Sequence, residues 1–170
     1  ATYYPGAAQL AVKLLFNKEN GKVLGAQFIG QKGADKRCDV MATAIRCGLT
    51  VDDLVDLELC YAPPFNSAKD PVNLCGMIAQ NILHGRVKVF HWDEIPAPGG
   101  DVILLDVRTK GEYERGSIPG FINIPVDELR ERLGELDPAK KIYITCQVGL
   151  RGYVASRILC QHGFDCYNLS

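Results

Sequence analysis

Tyr143-Ile144-Thr145-Cys146-Gln147-Val148-Gly149-Leu150-Arg151 reads as an apolar strand that ends in a cysteine, a short loop and the start of a helix. The helix, expected over residues 151–162, has apolar positions at Val154, Ala155, Ile158 and Leu159 and Gly163 as its stop. A cysteine at such a junction lies under several backbone N–H groups and at the positive end of a helix dipole. Both favour the thiolate, the nucleophilic form of the side chain. Four residues separate Cys146 from Arg151. One residue more, as in a C-x5-R phosphatase loop, frames a tetrahedral phosphate; the tighter ring suits a single sulfur atom carried on the cysteine as a persulfide. Gln147, Val148, Gly149 and Leu150 then serve chiefly through their backbone N–H groups.

Working outward, residues 102–106 form a continuous apolar strand of the buried parallel kind. Residues 127–136 are expected as a helix, 141–146 as a strand and 165–169 as another strand. Alternating strands and helices imply a parallel sheet with helices on both faces, whose chemistry gathers at the carboxyl ends of the strands. Cys146 stands at such an end. Asp106 and Arg108, at the end of an adjacent strand, are read as a structural ion pair. Arg151 admits two roles: a cation that steers an anionic sulfur compound, or a lock that pairs with a nearby carboxylate.

The N-terminal half follows another plan. Residues 9–16 and 22–30 are apolar strands joined by Asn17-Lys18-Glu19-Asn20-Gly21, a hairpin turn. A helix over 35–47 stops at Gly48, and a short one begins at Thr50, with Asp53 completing its capping pattern. A long helix over 67–84 is expected to bury Val72, Cys75, Ile78 and Ile82, and its stretch Asn73–Met77 to approach a neighbouring chain. Residues 86–100, ending in Pro96-Ala97-Pro98-Gly99-Gly100, form the seam. The expected division is 1–85 and 86–170.

Composition narrows the function. The 170 residues carry a net charge of −1 and 47% hydrophobic residues, so nucleic acid and anionic membrane are not indicated as partners. No apolar run reaches the ~20 residues of a membrane helix. The seven cysteines (38, 47, 60, 75, 146, 160 and 166) and three histidines show neither a CxxC nor metal-ligand spacing, so no metal site is expected. Reduced thiols and a cytoplasmic location fit best, and the six cysteines other than Cys146 are read as small core residues. No G-x-G-x-x-G occurs, so no dinucleotide site is expected within these residues. Both ends read as cut from a longer protein, the second module closing on the strand 165–169 with no element after it.

Leu105-Asp106-Val107-Arg108, Glu112-Tyr113 and Gly116-Ser117-Ile118-Pro119-Gly120-Phe121-Ile122-Asn123-Ile124-Pro125, followed by Cys146-x-x-Gly149-x-Arg151, resemble the rhodanese signature in order and spacing. Ser117 departs from the family's usual histidine. Tyr3-Tyr4-Pro5-Gly6, Lys22–Gln27, Gly48–Leu54 and Tyr61-Ala62-Pro63-Pro64-Phe65 resemble the C-terminal dimerisation domain of FAD-dependent pyridine nucleotide-disulfide oxidoreductases. Together they are similar to the coenzyme A disulfide reductase and NADH-dependent persulfide or polysulfide reductase branch.

The resemblance implies an α/β protein: an α+β dimerisation domain followed by a rhodanese-like α/β domain with a parallel sheet. It implies a homodimer through residues 1–85, with flavin and nicotinamide domains of the same enzyme as further partners and small sulfur compounds as substrates. FAD, NAD(P)H and coenzyme A would serve the full-length enzyme and no cofactor this fragment. Cys146 would carry the persulfide, and Tyr3 and Tyr61 would reach the partner's active site. Two rival readings stand beside it: a sulfurtransferase on a scaffold dimerisation domain, and a noncatalytic assembly module with an inert Cys146.

Overall fold

The computed structural model describes residues 4–170, which form two compact units divided between His84 and Gly85. Tyr3 lies outside the described residues.

In the first unit, β1 (Leu10–Phe16) and β2 (Val23–Gly30) pair as an antiparallel hairpin. Gly21 turns the chain with φ 71°. Helix α1 (Ala34–Cys47) follows and ends at Gly48, whose φ of 71° lets its N–H reach back to Ala44 and Ile45 carbonyls. Helix α2 (Val51–Asp56) begins with the Thr50–Asp53 box. The Thr50 hydroxyl accepts from the Asp53 N–H, and the Asp53 carboxylate accepts from the Thr50 N–H at 2.7 Å. Two of the orphan donors of the first turn are thereby satisfied. Helix α3 (Pro71–Leu83) starts later than expected. Pro71 sits at the first helical position, where its missing N–H costs nothing, and Asp70 caps it.

The buried core of this unit is Val23, Met41, Ala44, Val51, Leu54, Val72 and Ala79. The face that α3 buries is therefore not the expected one. Val72, Asn73, Gly76 and Ala79 point inward, whereas Leu74 and Ile78 are 44% and 62% exposed. The reason is the close crossing of α2 and α3. A Cβ on Gly76 would stand 2.9 Å from Leu54 Cβ and 3.0 Å from backbone atoms of Val51 and Val55, so the small residue serves its own neighbour helix. Asn73 is likewise internal: its amide donates to the carbonyls of Leu54 and Leu57 at 3.0 and 2.9 Å, and its Oδ1 accepts from the Asp70 N–H. It closes the end of α2 and the start of α3 at once.

A buried Arg37 on α1 pairs with Asp70 at 2.9 Å and donates to Asn66 and to the Gly33 carbonyl. A charge removed from water needs such complete pairing.

The second unit is built on five parallel strands in the order β3 (Lys88–Phe90), β7 (Cys166–Leu169), β6 (Lys141–Thr145), β4 (Val102–Asp106) and β5 (Ile122–Asn123). Helix α4 (Lys110–Arg115) follows β4 and opens on a Thr109–Glu112 capping box; helix α5 (Leu150–Gln161) follows β6. Ile142, Ile144, Leu105 and Cys166 bury one face of the sheet with Ala155, Ile158 and Leu159 of α5. Val154, expected inside, is 41% exposed. The other face carries Tyr143, stacked on Tyr167 at 5.0 Å and edge-on to Phe90 at 5.1 Å. Only the first face is covered by a long helix among the described residues.

Residues 127–136 are not the expected α-helix. They form successive turns with a 3-10 segment at Leu133–Glu135. Leu129, Glu131, Arg132, Glu135 and Leu136 each donate to the carbonyl three residues back. Pro125 and Pro138 bracket the segment and Gly134 weakens it, while Leu129 and Leu136 drive into the core. The cysteines also depart from expectation. Cys38, Cys47, Cys60 and Cys160 are exposed, Cys75 is half-buried and only Cys166 is fully buried. No helix among the described residues is long and apolar enough to cross a membrane.

Gly76→Ala should destabilise the first unit by about 1–3 kcal/mol, the usual cost of forcing atoms into a packed crossing. Chemical denaturation followed by circular dichroism would measure it; an unchanged midpoint would contradict the α2–α3 packing.

Candidate active site

Strand β6 ends at Thr145, which is held inside the sheet by the Val107 N–H donating to its carbonyl. Cys146 is the next residue, so its position is fixed by a central strand. Gly149, with φ 87°, precedes the first turn of α5, a conformation that a side chain would strain. The turn aims two backbone N–H groups at the sulfur: Gly149 donates to Cys146 Sγ at 3.1 Å and Gly152 at 3.3 Å. The second is an N–H of the first helical turn, which has no partner within the helix. Val148 and Leu150 are 83% and 68% exposed, so the loop turns its side chains outward and its backbone toward the sulfur.

Gly152 carries as much of the geometry as Gly149. A Cβ there would collide with Oδ1 of Asn168 and would lie 3.7 Å from Cys146 Sγ. Asn168, on β7 and 8% exposed, donates through Nδ2 to the Gly149 carbonyl at 3.3 Å, while its Oδ1 has no hydrogen-bond partner among the described residues. β7 thus supports the loop from below.

Arg151 is engaged with Glu112. Its Nη1 and Nη2 donate to the two carboxylate oxygens at 2.7 and 2.8 Å, the parallel geometry that best suits the pair. Glu112 also accepts from the Thr109 N–H and hydroxyl. Arg151 first, and Thr109 after it, hold the Glu112 carboxyl well below the usual carboxylate range. The end of the sulfur loop is therefore tied to the capping box of α4. Behind it, Arg108 makes a bidentate pair with the fully buried Asp106 and donates to the Gly116 carbonyl at 2.8 Å.

Arg108, Glu112, Arg115, Gly116 and Gln147 line an open cleft of about 250 Å³. Gln147 brings the sulfur loop into its wall. Arg108 and Glu112 are paired as described, and Arg115 has no carboxylate partner among the described residues. Sequence reasoning placed Cys146, Arg151, Asp106 and Arg108 in one neighbourhood, but assigned no role to Glu112, Gly152, Asn168 or Arg115. Thr109-x-x-Glu112 was a legible capping signature; Asn168 gave no local signal. Tyr61 is half-exposed on the segment between α2 and α3, and Phe65 there is 77% exposed.

The N-terminus of the long helix after a parallel strand, where a pyrophosphate would bind, is occupied by the Cys146 sulfur.

Residues 94–170 match the rhodanese-like domain, and residues 1–71 match the dimerisation domain of pyridine nucleotide-disulphide oxidoreductases. The reduced CoADR-RHD of Bacillus anthracis superposes over 99% of this chain with TM-score 0.93 and 52% identity, the chain covering 30% of that protein. The NAD-dependent persulfide reductase of A. fulgidus gives TM-score 0.86 and 40% identity over the whole chain, again 30% of that protein. Coenzyme A disulfide reductase of Staphylococcus epidermidis is 45% identical over 80 residues, which are 47% of this chain and 18% of that enzyme. The chain thus spans less than a third of the length of these relatives.

Gly152→Ala should lower stability by roughly 1–3 kcal/mol and slow alkylation of Cys146, with Asn168→Ala in the same chain recovering part of both. Thermal unfolding and iodoacetamide kinetics read the two effects; an unchanged midpoint and alkylation rate in the single variant would contradict the close approach.

Because the folded Glu112 carboxyl titrates below its unfolded value, its contribution is complete above the ordinary carboxylate range and fades as pH falls toward the lower folded value. The difference in melting midpoint between wild type and Glu112→Gln should stay constant from about pH 8 to 5 and shrink only in stronger acid.

The chain thus carries a pyridine nucleotide-disulphide oxidoreductase dimerisation domain followed by a rhodanese-like domain, and over these residues it is similar to coenzyme A disulfide reductases and to an NAD-dependent persulfide reductase.

Proposed function

We propose that Cys146 is the sulfur-carrying nucleophile of a CoA-disulfide, persulfide or polysulfide reductase. The observation that carries this is the pair of N–H groups, from Gly149 and Gly152, directed at its sulfur. Donors that stabilise negative charge on Sγ favour attack on the outer sulfur of a persulfide or polysulfide. A Cys146 Sγ–S bond forms, the inner S–S bond of the donor breaks, and the donor's thiolate leaves. A second thiolate then takes the outer sulfur and restores Cys146. The transfer involves no net oxidation or reduction; flavin and nicotinamide chemistry belongs to other residues of the full enzyme.

In this reading Arg151 is a positioning residue, held by Glu112, and Arg115 is the cation that meets an anionic substrate at the cleft. Gln147, Val148, Gly149 and Leu150 frame the sulfur, and Asp106 with Arg108 supports the cleft wall. Tyr61, and Tyr3 beyond the described residues, would offer phenol O–H groups to a thiolate in the partner's active site. Residues 1–85 would form the homodimer through exposed apolar residues such as Leu74 and Ile78 on α3, in a cytoplasmic enzyme.

Incubation with polysulfide should add one sulfur mass to the tryptic peptide containing Cys146, and Cys146→Ser should abolish the adduct. Arg115→Ala should raise KM for anionic sulfur donors several-fold with little change in kcat. Inserting one glycine between Val148 and Gly149 should reduce adduct formation without unfolding the chain. If Cys146 alkylates no faster than Cys75 and gains no sulfur, the inert-module reading is the better one. Ile78→Asp should shift the chain toward monomer in sedimentation velocity; an unchanged association state would move the interface elsewhere.

A further inference from the structure

Cys160 closes the last turn of α5, and Cys166 opens β7. Their sulfur atoms lie 3.3 Å apart, inside van der Waals contact, with the five-residue turn through Gly163 (φ 85°) between them. A disulfide needs about 2.05 Å, so the two sulfurs would have to close by about 1 Å. The two thiols differ in access: Cys160 is exposed and Cys166 is 1% exposed. Cys166 Sγ also donates to the Ser156 carbonyl at 3.4 Å, and burial pushes its thiol up, with the Cys160 contact adding to the effect. Lys88, paired with Asp165 at 2.7 Å, contributes positive charge nearby, since Cys160 in turn raises the Lys88 pKa among its lesser causes.

We propose that Cys160 and Cys166 form a second, reversibly oxidised dithiol site, separate from Cys146, that takes small disulfides as its oxidant. The exposed Cys160 thiolate attacks one sulfur of a disulfide RSSR, forming a Cys160–SR bond and releasing RS⁻. Cys166 then attacks Cys160 Sγ as its proton passes to the departing second RS⁻. The balance is one RSSR and two thiols converted to two RSH and one protein disulfide. Order follows from access: the exposed sulfur meets the oxidant and the buried one resolves it. The bond would clamp the C-terminal end of α5 to β7. Those two elements supply Gly152 and Asn168 to the sulfur loop at their other ends.

The test uses oxidised glutathione on the folded chain, followed by denaturation in N-ethylmaleimide and trypsin. Arg157 precedes the pair and no Lys or Arg separates its members, so both fall in the peptide that starts at Ile158, apart from the Cys146 peptide. The peptide should carry no maleimide, weigh about 2 Da less than its reduced form, and take up two maleimides after dithiothreitol. Cys160→Ser, an exposed change, should leave Cys166 free to take one maleimide and without glutathione. The idea is overturned if the wild-type peptide keeps glutathione on Cys160, or keeps both thiols free while exposed Cys38, Cys47 or Cys60 have reacted.

Discussion

The site hangs on the approach of two backbone N–H groups to one sulfur atom. Gly149 and Gly152 reach Cys146 Sγ only because neither carries a side chain where one would obstruct: Gly149 takes a left-handed φ, and Gly152 has Asn168 against it. A thiolate in that place is balanced by oriented dipoles rather than by a full counter-charge. The adjacent guanidinium of Arg151 is directed at Glu112 instead. A cation bonded directly to the sulfur would hold it in a single ion pair. Dipoles leave the sulfur without such a partner ion.

The surrounding structure keeps those dipoles in place. Three ties converge on the loop: β6, fixed between β4 and β7; the Arg151–Glu112 fork, anchored to the first turn of α4; and Asn168 on β7. The loop itself is exposed at Val148 and Leu150, so it has little apolar burial to hold it. Directional bonds to regular elements replace that burial. The cleft beside it is polar and open, lined by Arg108, Arg115, Glu112 and Gln147, and offers polar groups rather than an apolar wall.

How far the sequence was legible follows from how local each determinant is. The Thr50–Asp53 box, the stop at Gly48 and the strand-cysteine-loop-helix order depend on neighbours within a turn, and all three appear where expected. The helix expected over 127–136 failed because apolar spacing alone does not register a Gly134 between two prolines, where tertiary burial of Leu129 and Leu136 prevails over propensity. The buried face of α3 was misread for a similar reason. Ile78 is more hydrophobic than Gly76, but only Gly76 fits against α2, so the larger residue is turned outward. Arg37 and Asn168 were invisible because their partners lie 33 and 19 residues away.

The same contrast separates the two halves in kind. In the first, polar groups are buried to join helices: Asn73 satisfies the end of α2, and Arg37 reaches across to the cap of α3. Removing either partner would leave an unpaired polar group inside, the costliest kind of change, so this network fixes one arrangement of α1, α2 and α3. Large apolar side chains are thereby left on the surface at Leu74, Ile78, Leu15 and Ile29, a distribution that suits a domain whose fold is specified internally and whose outer face is kept for association. In the second half the cluster around Ile142, Ile144 and Leu159 is apolar, and Asp106, Arg108, Glu112 and Arg151 form paired charges near the carboxyl ends of the strands, beside Cys146. Both halves bury polar groups: in the first Arg37, Asn66, Asp70 and Asn73 tie helices to one another, and in the second Asp106 and Asn168 brace the carboxyl ends of the strands and the loop around Cys146.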